Sequence, residues 1–277
     1  IPLKYLANLL TAGDEEPVAL CLERMLAMRG YMRSKTVEGV IDEGIATAVG
    51  MAIAERMLAA RLGNDAVDHK TYVIAGDGCL MEGVSHEAIS LAGHLKLKKL
   101  IVLWDDNSIT IDGKVSLSDS TDQLKRFEAS GWATTRVDGH DPKAVSAALR
   151  DAQGADRPSL IAVKTLIGKG APNKQGTSAT HGSPLGADEV AAARKALDWP
   201  HAPFEIPAPI AARWNARDLG VRREAEWQLR FAAYRAAYPV LAAEFERRMA
   251  GELPRDFEET RLLAAAEFGQ SRESLAT

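Results

Sequence analysis

Between Gly44 and Leu62 apolar side chains recur at helical spacing, with Ile45, Val49, Ile53 and Met57 four apart and Glu55, Arg56 and Arg61 on other faces. The pattern predicts an amphipathic helix. Beyond it the period changes. Three short runs, Thr71 to Ala75 (TYVIA), Lys99 to Trp104 (KLIVLW) and Ser159 to Lys164 (SLIAVK), are apolar without strict alternation, as suits parallel strands covered on both faces. Helical patterns lie between them at Met81 to Lys96, Asp122 to Ser130 and Asp141 to Asp151. Strands that alternate with helices predict an α/β fold, a doubly wound and mainly parallel sheet. From Leu197 to Ile210 four prolines block any regular element and mark an exit from that core. Alanine- and arginine-rich helical patterns follow from Ala211 to Met249, then GELPRDF and a short final helical stretch.

Composition narrows the function classes. A chain of 277 residues, 46% hydrophobic and 26% charged, buries a full core. Thirty-four Lys+Arg against 38 Asp+Glu gives a net charge of −4 with no basic block, so nucleic acid is not an expected partner. No apolar run approaches about 18 residues, the length that would point to a membrane span. The first residues, IPLKYLANLL, lack the order of a signal peptide. Cys21 and Cys79 are the only cysteines, and two reduced thiols fit a cytoplasmic protein.

The first apolar strand stops on Gly76-Asp77-Gly78 and runs directly into a helical pattern. Ligands of open parallel sheets sit beyond the carboxyl ends of strands. Glycines there let the backbone approach an anion, and a following helix offers free N–H groups. A carboxylate aimed at the same place repels phosphate unless a divalent cation lies between them, so Asp77 points to magnesium, a hard cation that takes oxygen ligands. Asp-Gly is also a common turn, and on its own the tripeptide reads equally as one. Asn107 alters that balance. It follows Gly78 after 28 residues, 79 to 106, and emerges from the next apolar strand with a neutral amide oxygen of the kind magnesium accepts.

At this point the chain resembles the thiamine-diphosphate-dependent transketolases. The stretches that carry the resemblance are GIATAVGMAIAE, GDGCLMEGVSHEAISLAGHLKLKKLIVLWDDNSITIDG, RFEASGW, DGHD, KTLIGKGAPNKQGTSATHGSPLG, APFEIP and FAAYRAAYP, close from about Gly44 to Leu253. The resemblance implies the thiamine diphosphate-binding fold with a helical C-terminal linker. It implies transfer of a two-carbon ketol unit from a ketose phosphate to an aldose phosphate. It also implies thiamine diphosphate with Mg2+, or Ca2+ in its place, as cofactors. Asp77, Asn107 and the main-chain carbonyl of Ile109 match the metal ligands, and Gly76 and Gly78 lie against the cofactor diphosphate. Glu82 and Glu87 match a glutamate network near the dimer contact, with Glu82 counted in the cofactor site. Ile111 and Ile167 match apolar residues packed on the cofactor; without the resemblance both read as core. His181 matches a histidine that reaches the diphosphate and the reacting substrate oxygen, a role in proton transfer or anion stabilisation of the kind histidine side chains serve. His69, His86, His94, His140 and His201 read as ordinary surface histidines.

The N-terminal 43 residues depart from the family pattern. No histidine precedes His69, and TVEGVIDEG stands where the family has a Gly-Pro-Leu-Gly loop. The expected organisation is a divergent segment at 1–43, a diphosphate- and metal-binding domain at 44–200, and a linker with C-terminal helices at 201–277. The pyrimidine-binding domain of the family would lie outside this chain, to be supplied by a partner chain in a hetero-oligomer or within a homo-oligomer. Two other readings stand beside it: a non-catalytic remnant acting as a binding module, and a rearranged gene product.

Overall fold

The structure, a computed structural model, describes residues 44–270. The divergent segment, with Cys21 and the TVEGVIDEG stretch up to residue 43, lies outside the described residues. Two compact units divide between Asp218 and Leu219.

In the first unit α1 (Gly44–Leu62) leads to β1 (Thr71–Gly76), α2 (Asp77–Met81), α3 (Gly83–His94) and β2 (Leu100–Asp106). Then come α4 (Gln123–Ala129), β3 (Ala133–Asp138), α5 (Pro142–Gln153), β4 (Ser159–Lys164), α6 (Ala187–Ala196) and α7 (Ala208–Trp214). The four strands form one sheet in the order β1-β2-β4-β3, all parallel. Val73 lies opposite Val102, and Leu103 opposite Ile161.

Alternation along the central strands sorts the core into two layers. Leu100, Val102 and Trp104 of β2, with Leu160 and Ala162 of β4, face Ile45, Val49, Ala88, Ile89 and Phe127 from α1, α3 and α4. Ile101 and Ile161 point the other way, onto Ala148 and Ala152 of α5. The sheet is doubly wound, as the alternating pattern predicts. Asp122 and Asp141 cap α4 and α5 by accepting from the backbone N–H of Lys125 and Lys143. Phe127 and Trp132 meet edge to face, centroids 5.0 Å apart, and the Trp132 indole donates to the Ile89 carbonyl at 2.9 Å. The turn after α4 is thereby pinned to α3.

Four local readings change in the structure. The helix expected from Met81 to Lys96 is α3, which starts at Gly83 because Glu82 is extended, φ −60° and ψ 135°; the residues before that break form the separate short helix α2. That break lets α2 bury Cys79 and Leu80 while α3 turns Ser85, Ala88, Ile89 and Ala92 inward. A fourth strand, β3, escaped the hydrophobic pattern. Four of the six residues of its sequence ATTRVD are polar, and in the described sheet it pairs with β4 at the edge. β1 is not covered on both faces by the described residues: Tyr72 and Ile74 are 48% and 65% exposed. The described helix on that face, α5, packs toward β2, β3 and β4, and its Gln153 amide donates to the Tyr72 hydroxyl of β1. Finally, α7 starts inside the proline-rich stretch, with Pro209 in the first turn, where the missing N–H costs nothing.

The second unit is helical. The rest of α8 (Arg217–Ala237) is followed by α9 (Pro239–Ala250) and α10 (Phe257–Gln270). Trp227 stacks on Phe231 at 4.9 Å, and Phe231 meets Phe245 of α9 at 5.1 Å. These rings close a helical hairpin. Among the described residues no helix is long and apolar enough to cross a membrane.

Gly93 is where α3 comes closest to the turn after α4. A Cβ there would lie 1.7 Å from the Ser130 carbonyl oxygen, backbone that has nowhere to retreat. Gly93→Ala should therefore cost about 3 kcal/mol through overpacking, read as a lower urea midpoint.

Candidate functional site

The site is built where β1 and β2 end side by side. Gly76, last in β1, lies opposite Asp105 of β2, so Asp77 and the loop after Asp106 leave the sheet together. The Asp77 carboxylate is 6% exposed. It accepts from the Trp104 indole at 3.1 Å and from the Ser108 backbone N–H at 2.9 Å. Burial pushes this carboxyl above the usual aspartate value, the two hydrogen bonds pull it down, and the Asp106 and Asp105 charges add to the rise. A carboxylate accepts about four hydrogen bonds; two are supplied, so a buried anion retains oxygen lone pairs.

Asn107 is oriented from behind. Its Nδ2 donates to Asp105 Oδ2 at 3.0 Å, and Asp105 Oδ1 in turn accepts from the Thr165 hydroxyl. The amide oxygen is thereby fixed on the other side, where it accepts the Ile109 N–H at 2.9 Å and keeps a second lone pair. A tight hairpin follows. Val115 N–H donates to Ser108 O and Thr110 N–H to Gly113 O, bonds on either side of the Ile109–Lys114 bridge in which the Ile109 carbonyl takes no part. Asn107 and Ile109 thus lie in the turn after β2, and Asp77 after β1 is tied to the same turn by the Ser108 N–H. Among the described residues no three His, Cys, Asp or Glu side chains converge as a metal cluster. The donor set here is one carboxylate, one amide oxygen and one carbonyl, the hard oxygen chemistry that magnesium or calcium takes.

Gly76 and Gly78 are not explained by backbone conformation or packing. Gly76 has φ −87°, open to any residue, and a Cβ at either glycine would meet nothing within 4 Å. Their missing side chains leave bare backbone beside Asp77. The helix behind them, α2, is only five residues long, so a macrodipole contributes little and local N–H groups would have to meet an anion. The Gly76 N–H is already directed at the Cys79 sulfur, 3.4 Å away.

The remaining predicted positions divide in two. Ile111 sits on the hairpin after Ile109 and is 72% exposed, which overturns its alternative reading as core. Ile167 and His181 belong to the long loop after β4 and are half-buried; the loop is braced where Gly176 N–H donates to Ile167 O and Asn173 donates twice to Glu189. Glu82, between α2 and α3, and Glu87 on α3 are exposed. The structure therefore brings Gly76, Asp77, Gly78, Asn107 and Ile109 together, with Ile111 beside them.

Several supporting residues were not singled out by sequence. The sequence shows Trp104 only as strand, whereas its indole is one of two donors to Asp77. His140 looks like a surface histidine in sequence, whereas its Nε2 accepts the Leu166 N–H at 3.0 Å. Asp106 is 6% exposed and faces Lys164 at 3.1 Å and Arg136 at 3.3 Å. The doublet Asp105-Asp106 at the end of an apolar run was the available signal.

Residues 31–254 match the family described as transketolase, thiamine diphosphate binding domain. The chain belongs to the transketolase family. It is 57% identical over 229 residues to transketolase 2 of Vibrio parahaemolyticus and to transketolase 1 of Vibrio cholerae, 81% of this chain and 34% of each relative. The chain thus spans about a third of the length of the curated relatives it matches. Among solved transketolases, that of Pichia stipitis in complex with sedoheptulose-7-phosphate superposes with a TM-score of 0.74 at 39% identity, covering 79% of this chain and 33% of that one. The Leishmania mexicana enzyme gives 0.73 at 41% identity, with 79% and 34% covered. Residues 1–53 also match a second description, respiratory nitrate reductase beta C-terminal. The two matches overlap from 31 to 53.

Because the indole is one of two donors to a buried carboxylate, Trp104→Phe should destabilise the fold by about 2 kcal/mol, the cost of an unsatisfied charged acceptor. Urea denaturation of the wild type and variant measures it; an unchanged midpoint would show that Asp77 does not depend on this bond.

Proposed function

We propose that this chain is the diphosphate- and metal-binding part of a transketolase, acting with thiamine diphosphate and Mg2+, or Ca2+ in its place. One observation carries the reading: a buried, under-bonded Asp77 carboxylate beside the Asn107 amide oxygen and Ile109 carbonyl, next to open backbone at Gly76 and Gly78. Asp77, Asn107 and Ile109 would hold the cation. It neutralises the carboxylate and lets a diphosphate approach where Asp77 alone would repel it. Gly76 and Gly78 leave room for that approach, and the outward apolar side chain of Ile111, with Ile167 from the later loop, offers an apolar surface to the cofactor. When bound, thiamine diphosphate supplies the electron sink that two-carbon ketol transfer between sugar phosphates requires.

His181 holds or moves a proton at the reacting sugar oxygen or steadies the diphosphate; an imidazole, with one donor and one acceptor nitrogen, can serve either task. Glu82 and Glu87, exposed at and after the break between α2 and α3, belong to the contact with a neighbouring subunit. The domain assignment we favour is 44–200 for the diphosphate and metal, and 201–277 for the linker and helices. The pyrimidine-binding domain comes from a partner chain or a second subunit, in the cytoplasm. Sugar phosphates are the substrates.

A second reading applies to the N-terminal segment. The match of residues 1–53 to a nitrate reductase description favours a joined origin, with a piece of an unrelated family in front of the transketolase segment. Amplifying genomic DNA across the codons for residues 20–60 tests it: one continuous product supports a real fusion, and two separate loci refute it.

Calorimetric titration of the full chain with thiamine diphosphate, with and without Mg2+, tests the main reading. Binding should appear only with Mg2+, and Asp77→Ala should abolish it while urea denaturation remains cooperative. Equal affinity in Asp77→Ala would overturn the metal assignment. If the chain binds but no added pyrimidine-binding chain restores ketol transfer, the non-catalytic binding module is the better account.

A further inference from the structure

Ser108 gives Asp77 its shorter hydrogen bond from a backbone that a side-chain-bearing residue rarely adopts, φ +65°. Left-handed backbone costs energy for any residue but glycine, so it persists where neighbours hold it. Lys164 is such a neighbour. Last in β4 and directly opposite Asp106 of β2, it donates from Nζ to Ser108 Oγ at 2.8 Å and to Asp106 Oδ1 at 3.1 Å. Its ammonium thus joins the end of one strand to the turn that follows its neighbour. Asp106 also faces Arg136 Nη2 at 3.3 Å. The two cations share one carboxylate, and Lys164 also reaches the serine.

We propose that Lys164 is a positioning residue of this site: it holds Ser108 in its left-handed turn, which keeps the Ser108 N–H on Asp77 and sets the direction of the remaining carboxylate lone pairs. The contact itself stands on the geometry; its consequence for cation and diphosphate rests on the function proposed above. The charge of Lys164 has a second effect. It offsets the buried Asp106 carboxylate close to Asp77, and Arg136 would continue that service if Lys164 were replaced. Loss of Lys164 should therefore loosen Ser108 without unfolding the sheet.

The test is amide exchange and indole NMR on the full chain without ligand, comparing wild type with Lys164→Met, Lys164→Arg, Arg136→Met and Ser108→Ala. The amide of residue 108 should exchange about tenfold faster in Lys164→Met and in Ser108→Ala, the scale expected for losing one charge-assisted hydrogen bond. The Trp104 indole resonance should shift in both, because the same carboxylate moves. Leu160 and Ala162 in β4 should keep their protection, Lys164→Arg should restore the slow exchange, and Arg136→Met should resemble wild type. Unchanged exchange at residue 108 in Lys164→Met and Ser108→Ala would overturn the proposal, as would an equal effect from Arg136→Met. Titration with thiamine diphosphate and Mg2+ then reads the consequence, with affinity about tenfold weaker in Lys164→Met and recovered in Lys164→Arg. Wild type that takes up no thiamine diphosphate counts against the proposed function, while the exchange data still decide the role of Lys164.

Discussion

A carboxylate taken out of water at the end of a parallel sheet is the constraint around which this domain is arranged. Asp77 follows β1 without a spacer, so its side chain emerges beside the end of β2 and must be satisfied by what β2 carries. The indole of Trp104 and the N–H of Ser108 meet it there, each from a residue whose position β2 dictates. The parallel register that puts Gly76 opposite Asp105 makes the meeting possible. A slip by one residue would send Trp104 to the opposite face.

Satisfying Asp77 only in part has consequences around it. Three aspartates, at 77, 105 and 106, lie within this small region, and the fold distributes partners unevenly among them. Asp106 is neutralised by Lys164 and Arg136. Asp105 is used to orient the Asn107 amide and receives the Thr165 hydroxyl. Asp77 receives hydrogen bonds but no cationic side chain, and burial raises its proton affinity. The arrangement leaves a partly satisfied buried carboxylate beside bare glycine backbone, and the proposed cation and diphosphate site rests on that electrostatic combination.

The apolar surface near these groups is open among the described residues. Ile111 stands out from its hairpin, and Tyr72 and Ile74 leave one face of β1 uncovered by the described residues. Water that reaches such surfaces weakens nearby electrostatic contacts, so the burial of Asp77 depends on Trp104 and the turn after β2 rather than on an enclosing apolar wall.

Much of this was legible in the residues alone. Apolar runs and helical periods determined three of the four described strands, the principal helices and the α/β class, because elements that bury a face must present apolar residues to it. Gly76-Asp77-Gly78 and Asn107 marked the candidate site, since carboxylate, amide and bare backbone at strand ends are costly without a use. What the pattern could not carry was whatever depends on neighbours distant in sequence. β3 carries little apolar pattern, and only its pairing with β4 reveals it as a strand. Trp104, His140 and Lys164 look like strand and surface residues until parallel pairing brings β1, β2 and β4 to one end. Glu82 breaks a continuous helical pattern because packing of α2 and α3 onto the sheet outweighs local propensity. Residue types determined which chemistry was available, and the tertiary structure decided which groups hold it in place, because burial and hydrogen-bond partnership arise only when distant segments meet.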